Sequence, residues 1–280
     1  MIDYHIHLER GPLTREWLGK FIEAARQKGI AEVGISEHCT RFIEFAPVMD
    51  RLGLARSPFP HVRRAFLGEV KSSMNDYVKL IDDAKAEGLP VKLALEVDYV
   101  PGAEEETRKI LSQFPFDYII GSVHFLGEWP IDFRPEDWQG QDPEEIYIRY
   151  FEILARAAKS HLFDVMAHPD LVKLFGIRPV GDPSNVEKTI SLCIQQLAES
   201  DVAVEVSSAG LRRPIGEIYP GERFLRRCAE LDIPITLASD AHRPEEVGFR
   251  IDEAAQYARE CGCSKLAIFR RRQRYFIDLA

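Results

Sequence analysis

The sequence predicts an α/β fold of seven strand–helix units. Short apolar runs rich in β-branched residues alternate with longer amphipathic segments, a pattern typical of parallel strands joined by crossover helices. The runs span Ile2–His7, Glu32–His38, Val91–Tyr99, Tyr118–Phe125, Asp164–His168, Val202–Ser207 and Pro234–His242. Seven units favour a (β/α) barrel with one unit fewer than eight, although an open doubly wound sheet has the same local pattern.

The amphipathic segments between and after these runs predict the helices. They span Thr14–Lys28, Asn75–Glu87, Glu104–Phe114, Pro143–Lys159, Pro183–Glu199, Glu222–Glu230 and Glu245–Glu260. Thr14 with Glu16 is a typical helix start, and Gly29 a typical helix end. Asp182-Pro183 is likewise a typical start, here for the helix after the fifth strand.

Length and composition favour one globular domain over residues 1–280. A barrel accommodates roughly 200–250 residues or more as one unit. Hydrophobic residues make up 45% and charged residues 29% of the chain, a balance found in folded rather than disordered proteins. We find no internal repeat, low-complexity segment or Pro/Ser-rich linker that would divide it.

Charge and cysteine content narrow the possible partners and the compartment. The net charge of −9 argues against nucleic acid as a bulk partner, since proteins that bind it usually carry a basic face. The five cysteines are scattered through a long chain, which favours a reducing cytoplasm over a disulfide framework. We also expect no signal peptide and no membrane span, because the chain lacks a sufficiently long apolar stretch.

Two connections are longer than simple turns. Arg41–Lys71 contains three prolines, and Leu126–Asp142 contains two tryptophans and a phenylalanine. Both follow predicted strands, so we expect both on the same face of the domain. Long connections of this kind form lids or binding loops, or are tolerated insertions at a barrel rim.

Most of the histidines fall at the ends of predicted strands. Six of the eight lie at or next to a strand's C-terminal end: His5, His7, His38, His124, His168 and His242. In parallel α/β folds these ends line one face, so residues distant in sequence meet there. A single strand-end histidine is more often structural, but the joint placement favours a functional site.

The spacing of these residues indicates metal binding. His5 and His7, like Asp240 and His242, are two residues apart, and side chains two apart on a strand point the same way. Glu96 lies within an apolar run, where a bound cation would neutralise its charge. Six imidazoles and two carboxylates exceed the ligands of one ion, so we expect two or three divalent metals, with zinc, manganese and iron all open.

Other catalytic patterns are weaker. The sequence contains no GxSxG, Walker or GxGxxG motif. Cys39 follows His38 directly and faces the other way, so it is expected to pack in the core, and Glu37 also faces away from His38. Asp170, two residues beyond His168, either orients that ligand or caps a helix.

The motifs together resemble the polymerase and histidinol phosphatase (PHP) superfamily. The matching segments occur in the family's order: Asp3-Tyr-His5-Ile-His7, Ser36-Glu-His38, Leu95-Glu96-Val-Asp98, Gly121-Ser-Val-His124, Ala167-His168-Pro-Asp170 and Ser239-Asp240-Ala-His242. Within it, the chain is most similar to the histidinol-phosphate phosphatases, through Gly121-Ser-Val-His-Phe-Leu126, Ala209-Gly-Leu-Arg-Arg-Pro214 and Glu217-Ile-Tyr-Pro220.

This resemblance implies a distorted (β/α)₇ TIM-like barrel with a trinuclear metal centre. It implies three ligand sets: His5, His7, Glu96 and Asp240; then Glu96, His124 and His168; then His38 and His242. The family's further histidine after the HxH pair is missing from Leu8–Arg15, and Glu9 is the expected substitute. Glu96, Asp240 and His242 are the expected catalytic residues, and either Asp240 or a metal-bound water is expected to manage proton transfer to the leaving alkoxide.

The implied reaction is hydrolysis of L-histidinol phosphate to L-histidinol and phosphate, in histidine biosynthesis. The alternatives are a phosphoesterase acting on another monoester, a nucleotide or a phosphoprotein, and a non-catalytic metal-binding module. A small-molecule phosphate ester is the expected partner, and the oligomeric state is left open.

Residues after the strands are candidates for substrate binding. Guanidinium groups suit phosphate geometry, and the candidate clamps are Arg212, Arg213, Arg243 and Arg41. Trp129 or Tyr219 is expected to stack on the imidazole ring of the substrate. Asp98 or Glu217 is expected to pair with its amine.

Overall fold

The computed structural model describes residues 1–68 and 72–279. The strands, in chain order, are β1 (Ile2–Ile6), β2 (Glu32–Ile35), β3 (Val91–Asp98), β4 (Tyr118–Ser122), β5 (Phe125–Leu126), β6 (Trp129–Pro130), β7 (Val165–Met166), β8 (Ala203–Ser207), β9 (Ile235–Ala238), β10 (Lys265–Arg270) and β11 (Gln273–Asp278). The helices are α1 (Arg15–Gln27), α2 (Ala46–Asp50), α3 (Pro60–Gly68), α4 (Met74–Ala86), α5 (Glu104–Leu111), α6 (Pro143–Lys159), α7 (Ser184–Glu199), α8 (Glu222–Glu230) and α9 (Ile251–Glu260).

Seven parallel strands form a distorted barrel. Their order is β1-β2-β3-β4-β7-β8-β9, and each neighbouring pair is parallel. The sheet closes where β1 meets the segment after β9: the His7 amide donates to the Ala241 carbonyl at 2.8 Å, and the Ala241 amide to the His5 carbonyl at 3.1 Å. This closure distinguishes a barrel from the open doubly wound sheet. Each predicted run contains one of the seven strands.

The helices begin and end where the local chemistry predicts. The Thr14 hydroxyl accepts a hydrogen bond from the Trp17 amide and caps α1, which turns Leu18, Phe21 and Ala25 toward the barrel. α6 and α8 match their predicted bounds to the residue, whereas α9 starts at Ile251 rather than Glu245. In the described part of the chain, no helix combines the length and apolar character needed to span a bilayer.

The two long connections contain regular structure and contact each other. The first holds α2 and α3, and the second holds the β5–β6 hairpin. His61 Nε2 lies 2.9 Å from Asp137 Oδ2 across the two connections, and the Ser57 hydroxyl donates to the Glu128 carbonyl at 3.3 Å. The prediction that both lie on one face is therefore confirmed, although Glu69–Lys71 at the end of the first lies outside the described residues.

A C-terminal hairpin, absent from the sequence prediction, covers the other end of the barrel. β10 pairs antiparallel with β11 across a two-residue turn at Arg271 and Arg272, where φ is 49° and 62°. The Arg272 guanidinium donates to Asp164, which lies just before β7 and therefore at the N-terminal ends of the barrel strands. Phe269 packs on Tyr118 with ring centroids 5.5 Å apart. The hairpin thus lies opposite the face that carries the histidines.

Candidate metal centre

The C-terminal ends of the barrel strands bring the predicted ligands into one cluster. β1 supplies His5, β3 supplies Glu96, and the others follow β1, β2, β4, β7 and β9: His7, His38, His124, His168, Asp240 and His242. Their ligand atoms form three overlapping groups, within each of which all atoms lie within 4.8 Å of one another. The groups are His5, His7 and Glu96; Glu96, His124 and His168; and His7, His38 and His242.

Glu96 is at the centre of this cluster and is almost completely buried. Its Oε2 lies 3.4, 3.6 and 2.7 Å from ring nitrogens of His5, His7 and His38, and its Oε1 lies 3.6 and 3.3 Å from those of His124 and His168. Neither oxygen has a hydrogen-bond partner of suitable geometry. The Glu96 carboxylate therefore lies among five imidazole rings and makes no hydrogen bond to any of them.

The donor set fits divalent cations. Both ring nitrogens of His7, Nε2 of His5 and both oxygens of Glu96 are buried without hydrogen-bond partners. Burying so many unpaired polar atoms is costly unless something else binds them. Asp240 Oδ1 adds a further oxygen, 3.4 Å from His7 Nε2 and 3.9 Å from His5 Nε2. Imidazole and carboxylate together suit zinc, manganese and iron.

Two further carboxylates orient the ligand histidines. Glu205 Oε2 lies 2.7 Å from His5 Nδ1, and Asp98 Oδ1 lies 2.9 Å from His124 Nδ1. Such contacts fix the ring so that Nε2 faces the metal side. Asp98 therefore orients His124. It is not free to pair with the amine of a substrate in the way that the sequence had suggested. Glu205 was not predicted, although it is a carboxylate within a fully buried strand, the same signal that identified Glu96.

The group formed by His38 and His242 differs from the one that the family resemblance implied. The His7 ring stacks on both, with centroid distances of 4.0 and 4.6 Å, so it belongs to this group as well as to that of His5. Glu9 lies beside the group, with Oε1 2.9 Å from His242 Nδ1. Burial would raise the pKa of Glu9, but His242 and then His7 outweigh it and lower the pKa to about 2. Its role as a metal ligand stays a prediction.

Two residues of the site have unusual backbone conformations. Asp240 and His168 have φ of 52° and 23°, a region that side-chain-bearing residues rarely adopt and that commonly marks functional sites. Arg212 Nη2 donates to the carbonyls of Ser239 and Asp240, at 2.9 Å each. Arg212 Nη2 therefore holds the segment that carries Asp240, whereas Nη1 is buried without a hydrogen-bond partner, and the role of Arg212 as a phosphate clamp stays a prediction.

The remaining candidates for substrate binding divide into two groups. Tyr219 lies at the site, with its ring 6.4 Å from that of His168 and its buried hydroxyl unpartnered. Arg213 and Arg243 are exposed. Trp129, in contrast, is buried: its Nε1 donates to the Asp137 carbonyl at 3.0 Å and its ring packs on Trp138. Trp129 therefore packs inside the domain, and the prediction that it stacks on the substrate is corrected.

Two acidic candidates also have other partners. Glu217 Oε2 is 3.1 Å from Lys173 Nζ, and Glu217 Oε1 is 2.9 Å from the Arg178 guanidinium. Asp170 accepts a hydrogen bond from the Gly221 amide at 2.8 Å and lies 2.9 Å from Lys173 Nζ. Glu217 is therefore not free to pair with the amine of a substrate. The Asp170 side chain links its own loop to Gly221 and Lys173, and it neither orients His168 nor caps a helix.

Neighbouring charges set the protonation of the cluster without metal. Burial, followed by the adjacent His38, lowers the pKa of His7 to about 3. Burial also opposes the charged form of His38, but Glu96 and Glu9 outweigh it and raise the pKa of His38 to about 9. At pH 7, His7 is neutral and ready to bind a cation, whereas His38 carries a proton.

We expect metal binding to release a proton at pH 7 and to tighten as the pH rises toward about 9. A cation at His38 must displace its proton, and proton competition falls as the pH rises through the pKa of that group. Calorimetric titration of the metal-free protein with Mn²⁺, in buffers of different ionisation enthalpy, measures the release. His38→Gln should release fewer protons, and an affinity that does not change between pH 6.5 and 9 would contradict this expectation.

The fold and the order of the motifs agree with known proteins. Residues 3–209 match the PHP domain family. A protein of Deinococcus radiodurans named a probable histidinol-phosphatase is 38% identical, over 98% of both chains. The histidinol-phosphatase of Bacillus subtilis is 24% identical, over 88% of this chain and 95% of its own.

A solved structure supports the same fold. Histidinol phosphate phosphatase from Lactococcus lactis, crystallised with zinc, L-histidinol and phosphate, is 20% identical and superposes with a TM-score of 0.76, over 98% of each chain. The family match covers the segments that carry most of the clustered ligands, and the chain belongs to the PHP domain family.

Proposed function

We propose that this protein is a metal-dependent phosphomonoesterase that hydrolyses L-histidinol phosphate to L-histidinol and phosphate, a step in histidine biosynthesis. The observation that carries the proposal is the cluster of three overlapping ligand groups joined at Glu96 and His7. Full-length relatives named for this activity support the choice of substrate. The five cysteines are odd in number and scattered through a long chain, which supports a reducing, cytoplasmic location.

The residues of the cluster would hold two or three divalent ions, with zinc, manganese and iron all compatible. Bound there, such ions neutralise the charge of a phosphate dianion and provide an activated water. The proposed ligands are His5, His7, Glu96, Asp240, His124, His168, His38 and His242, with Glu9 beside the last.

Asp240 and His242 are proposed to act next to the reacting phosphate. Burial would raise the pKa of Asp240, but His242, His7 and His5 outweigh it and hold the pKa well below its usual range. Asp240 is therefore ionised at neutral pH, and its Oδ1 lies 3.5 Å from His242 Nε2. An ionised carboxylate at this position can accept a hydrogen bond from a water molecule. We assign Asp240 to binding and to orienting the attacking water through an accepted hydrogen bond.

A cavity beside the cluster suits the organic part of the substrate. It has a volume of about 160 Å³, opens beside His38 and His124, and is otherwise lined mainly by apolar side chains, including Leu54, Val62, Phe66, Phe125 and Phe133. Asp132 also lines it, and its Oδ1 is buried without a hydrogen-bond partner. An apolar cavity with one unpaired carboxylate matches a flat ring that carries a cationic amine, and it is small for a nucleotide.

A substrate panel tests this proposal. Phosphate release is measured for L-histidinol phosphate, 4-nitrophenyl phosphate, a nucleoside monophosphate and a phosphopeptide, together with metal analysis of the same sample. L-histidinol phosphate should have the highest kcat/KM. Asp132→Asn should lower that value roughly 10- to 100-fold, as expected for a lost charge-assisted hydrogen bond, and leave 4-nitrophenyl phosphate nearly unchanged.

Other outcomes identify the alternatives. If another ester is hydrolysed best, the protein is a phosphoesterase of different specificity. If the metal-loaded protein releases phosphate from no ester, it is a metal-binding module without this activity. If Asp132→Asn affects both substrates equally, the cavity does not hold the amine.

Among the predicted clamps, we expect Arg213 to contribute most to phosphate binding. Burial, followed by Asp170, raises the pKa of Tyr219, whereas Arg213 lowers it, and the Tyr219 ring lies 6.4 Å from that of His168, so the charge of Arg213 acts on a residue beside the cluster. Arg213→Met should lower kcat/KM roughly 10- to 100-fold, since it removes a charged phosphate contact. The control is Arg223→Met on α8, an exposed arginine elsewhere on the surface. If Arg213→Met and Arg223→Met were equally active, the phosphate clamp would be one of the other predicted arginines, such as Arg243.

A further inference from the structure

The last strand of the sheet has an exposed, apolar outer edge. β11 pairs with β10 and ends the sheet order of the described residues. Tyr275, Phe276 and Ile277 in this strand are 48%, 52% and 39% exposed. An exposed apolar edge strand is a template for pairing with another strand, and soluble proteins usually protect such an edge by proline, a bulge or a covering element. None of these devices interrupts the pairing of β11 with β10 from residue 273 to 278.

The register shows which backbone groups of β11 point outward. The Leu279 amide donates to the Ser264 carbonyl at 2.9 Å, one step beyond the pair of Asp278 with Lys265. In an antiparallel ladder, alternate residues exchange hydrogen bonds with the partner strand. Residues 273, 275, 277 and 279 therefore bond to β10, and the amides and carbonyls of residues 274, 276 and 278 face away from it.

This arrangement is complementary to itself. If a second copy of β11 runs antiparallel with Phe276 on the two-fold axis, Phe276 lies opposite its own copy and can exchange both backbone hydrogen bonds with it. The same register places Arg274 opposite Asp278 of the copy, and Asp278 opposite Arg274. It also places Tyr275 opposite Ile277. The pairing thus joins opposite charges and apolar side chains along the whole outward-facing edge.

We propose that this chain forms a two-fold symmetric dimer in which the β11 strands pair antiparallel about Phe276. Charge complementarity between Arg274 and Asp278 favours a second copy over an unrelated strand. Arg274 already contacts Asp201, donating through Nη1 to its carbonyl at 2.8 Å and through Nη2 to its carboxylate, and the remaining N–H donors of the guanidinium leave room for a second carboxylate. The hairpin lies at the end of the barrel opposite the metal centre, so this inference is independent of the proposed function.

Light scattering coupled to size-exclusion chromatography tests the dimer with the full chain. The unaltered protein should elute at twice 32.0 kDa. Arg274→Asp and Asp278→Arg, each alone, place like charges opposite each other, and each should raise the dimer dissociation constant roughly tenfold or more. An equimolar mixture of the two variants restores both opposite-charge pairs and should form a heterodimer.

Further variants distinguish pairing through β11 from a dimer formed elsewhere on the surface. Phe276→Pro removes an outward amide and leaves the bonds to β10 intact, so it should also weaken the dimer while circular dichroism and an unchanged melting curve confirm folding. Arg223→Asp, a change of exposed charge on α8, should not affect the mass. A monomer at every concentration would overturn the proposal. So would a dimer that the β11 variants leave unchanged, or a mixture that fails to form the heterodimer.

Discussion

Replacing Glu96 with glutamine is expected to lower kcat/KM for L-histidinol phosphate by at least about 10³-fold. Changes to residues that only support a metal ligand typically cost about 10- to 100-fold in metal affinity or activity, and Glu96 is in direct reach of five histidines. The amide keeps the shape of the side chain but removes the charge that two ligand groups share. Metal content and phosphate release, measured on the same preparation, should fall together.

Glu37→Gln is the matched control. Glu37 is also fully buried and follows the neighbouring strand β2, but its carboxylate accepts hydrogen bonds from the Leu8 amide and the Arg41 guanidinium, not from the cluster. Its loss should reduce stability and leave the metal content near that of the unaltered protein. If both variants lost metal equally, the effect would come from general destabilisation and the central role of Glu96 would be excluded.

The clustered ligands could be predicted because the barrel gives strand ends a common position. His124 and His168 are 44 positions apart in the chain, yet their rings lie 5.2 Å apart because β4 and β7 are parallel neighbours. The only local information needed was that each residue follows an apolar run. Glu205 carried the same signal as Glu96, and the same reasoning would have found it.

Side chains beyond the strands could not be placed from the sequence. Alternation of faces holds only within a strand. Arg212 ends a short 3₁₀ turn that directs its side chain toward the backbone of residues 239 and 240, and Arg213 follows that turn. Trp129 belongs to a small hairpin that packs on itself, so its burial depends on the partner Trp138. The β10–β11 hairpin was missed because its turn and flanks carry several arginines, which hide the apolar pattern.

Removing the bound metal is expected to abolish phosphate release and to lower the melting temperature. Without cations, Nε2 of His5, both ring nitrogens of His7 and both oxygens of Glu96 have no hydrogen-bond partners, so the folded state loses the interactions that would offset their burial. A ligand present at 1,000 times its Kd stabilises the folded state by about 4 kcal/mol. For a domain of this size that corresponds to roughly 10 °C.

Dialysis against a chelator, followed by addition of Zn²⁺, Mn²⁺ or Fe²⁺, provides the measurement, with melting curves and phosphate release recorded at each stage. Both quantities should recover with the same metal, because the ions that activate the reaction also neutralise the buried carboxylates. Glu96→Gln should show little change in melting temperature on chelation, since it has little metal to lose. Activity that survives complete removal of metal would exclude a metal-dependent reaction.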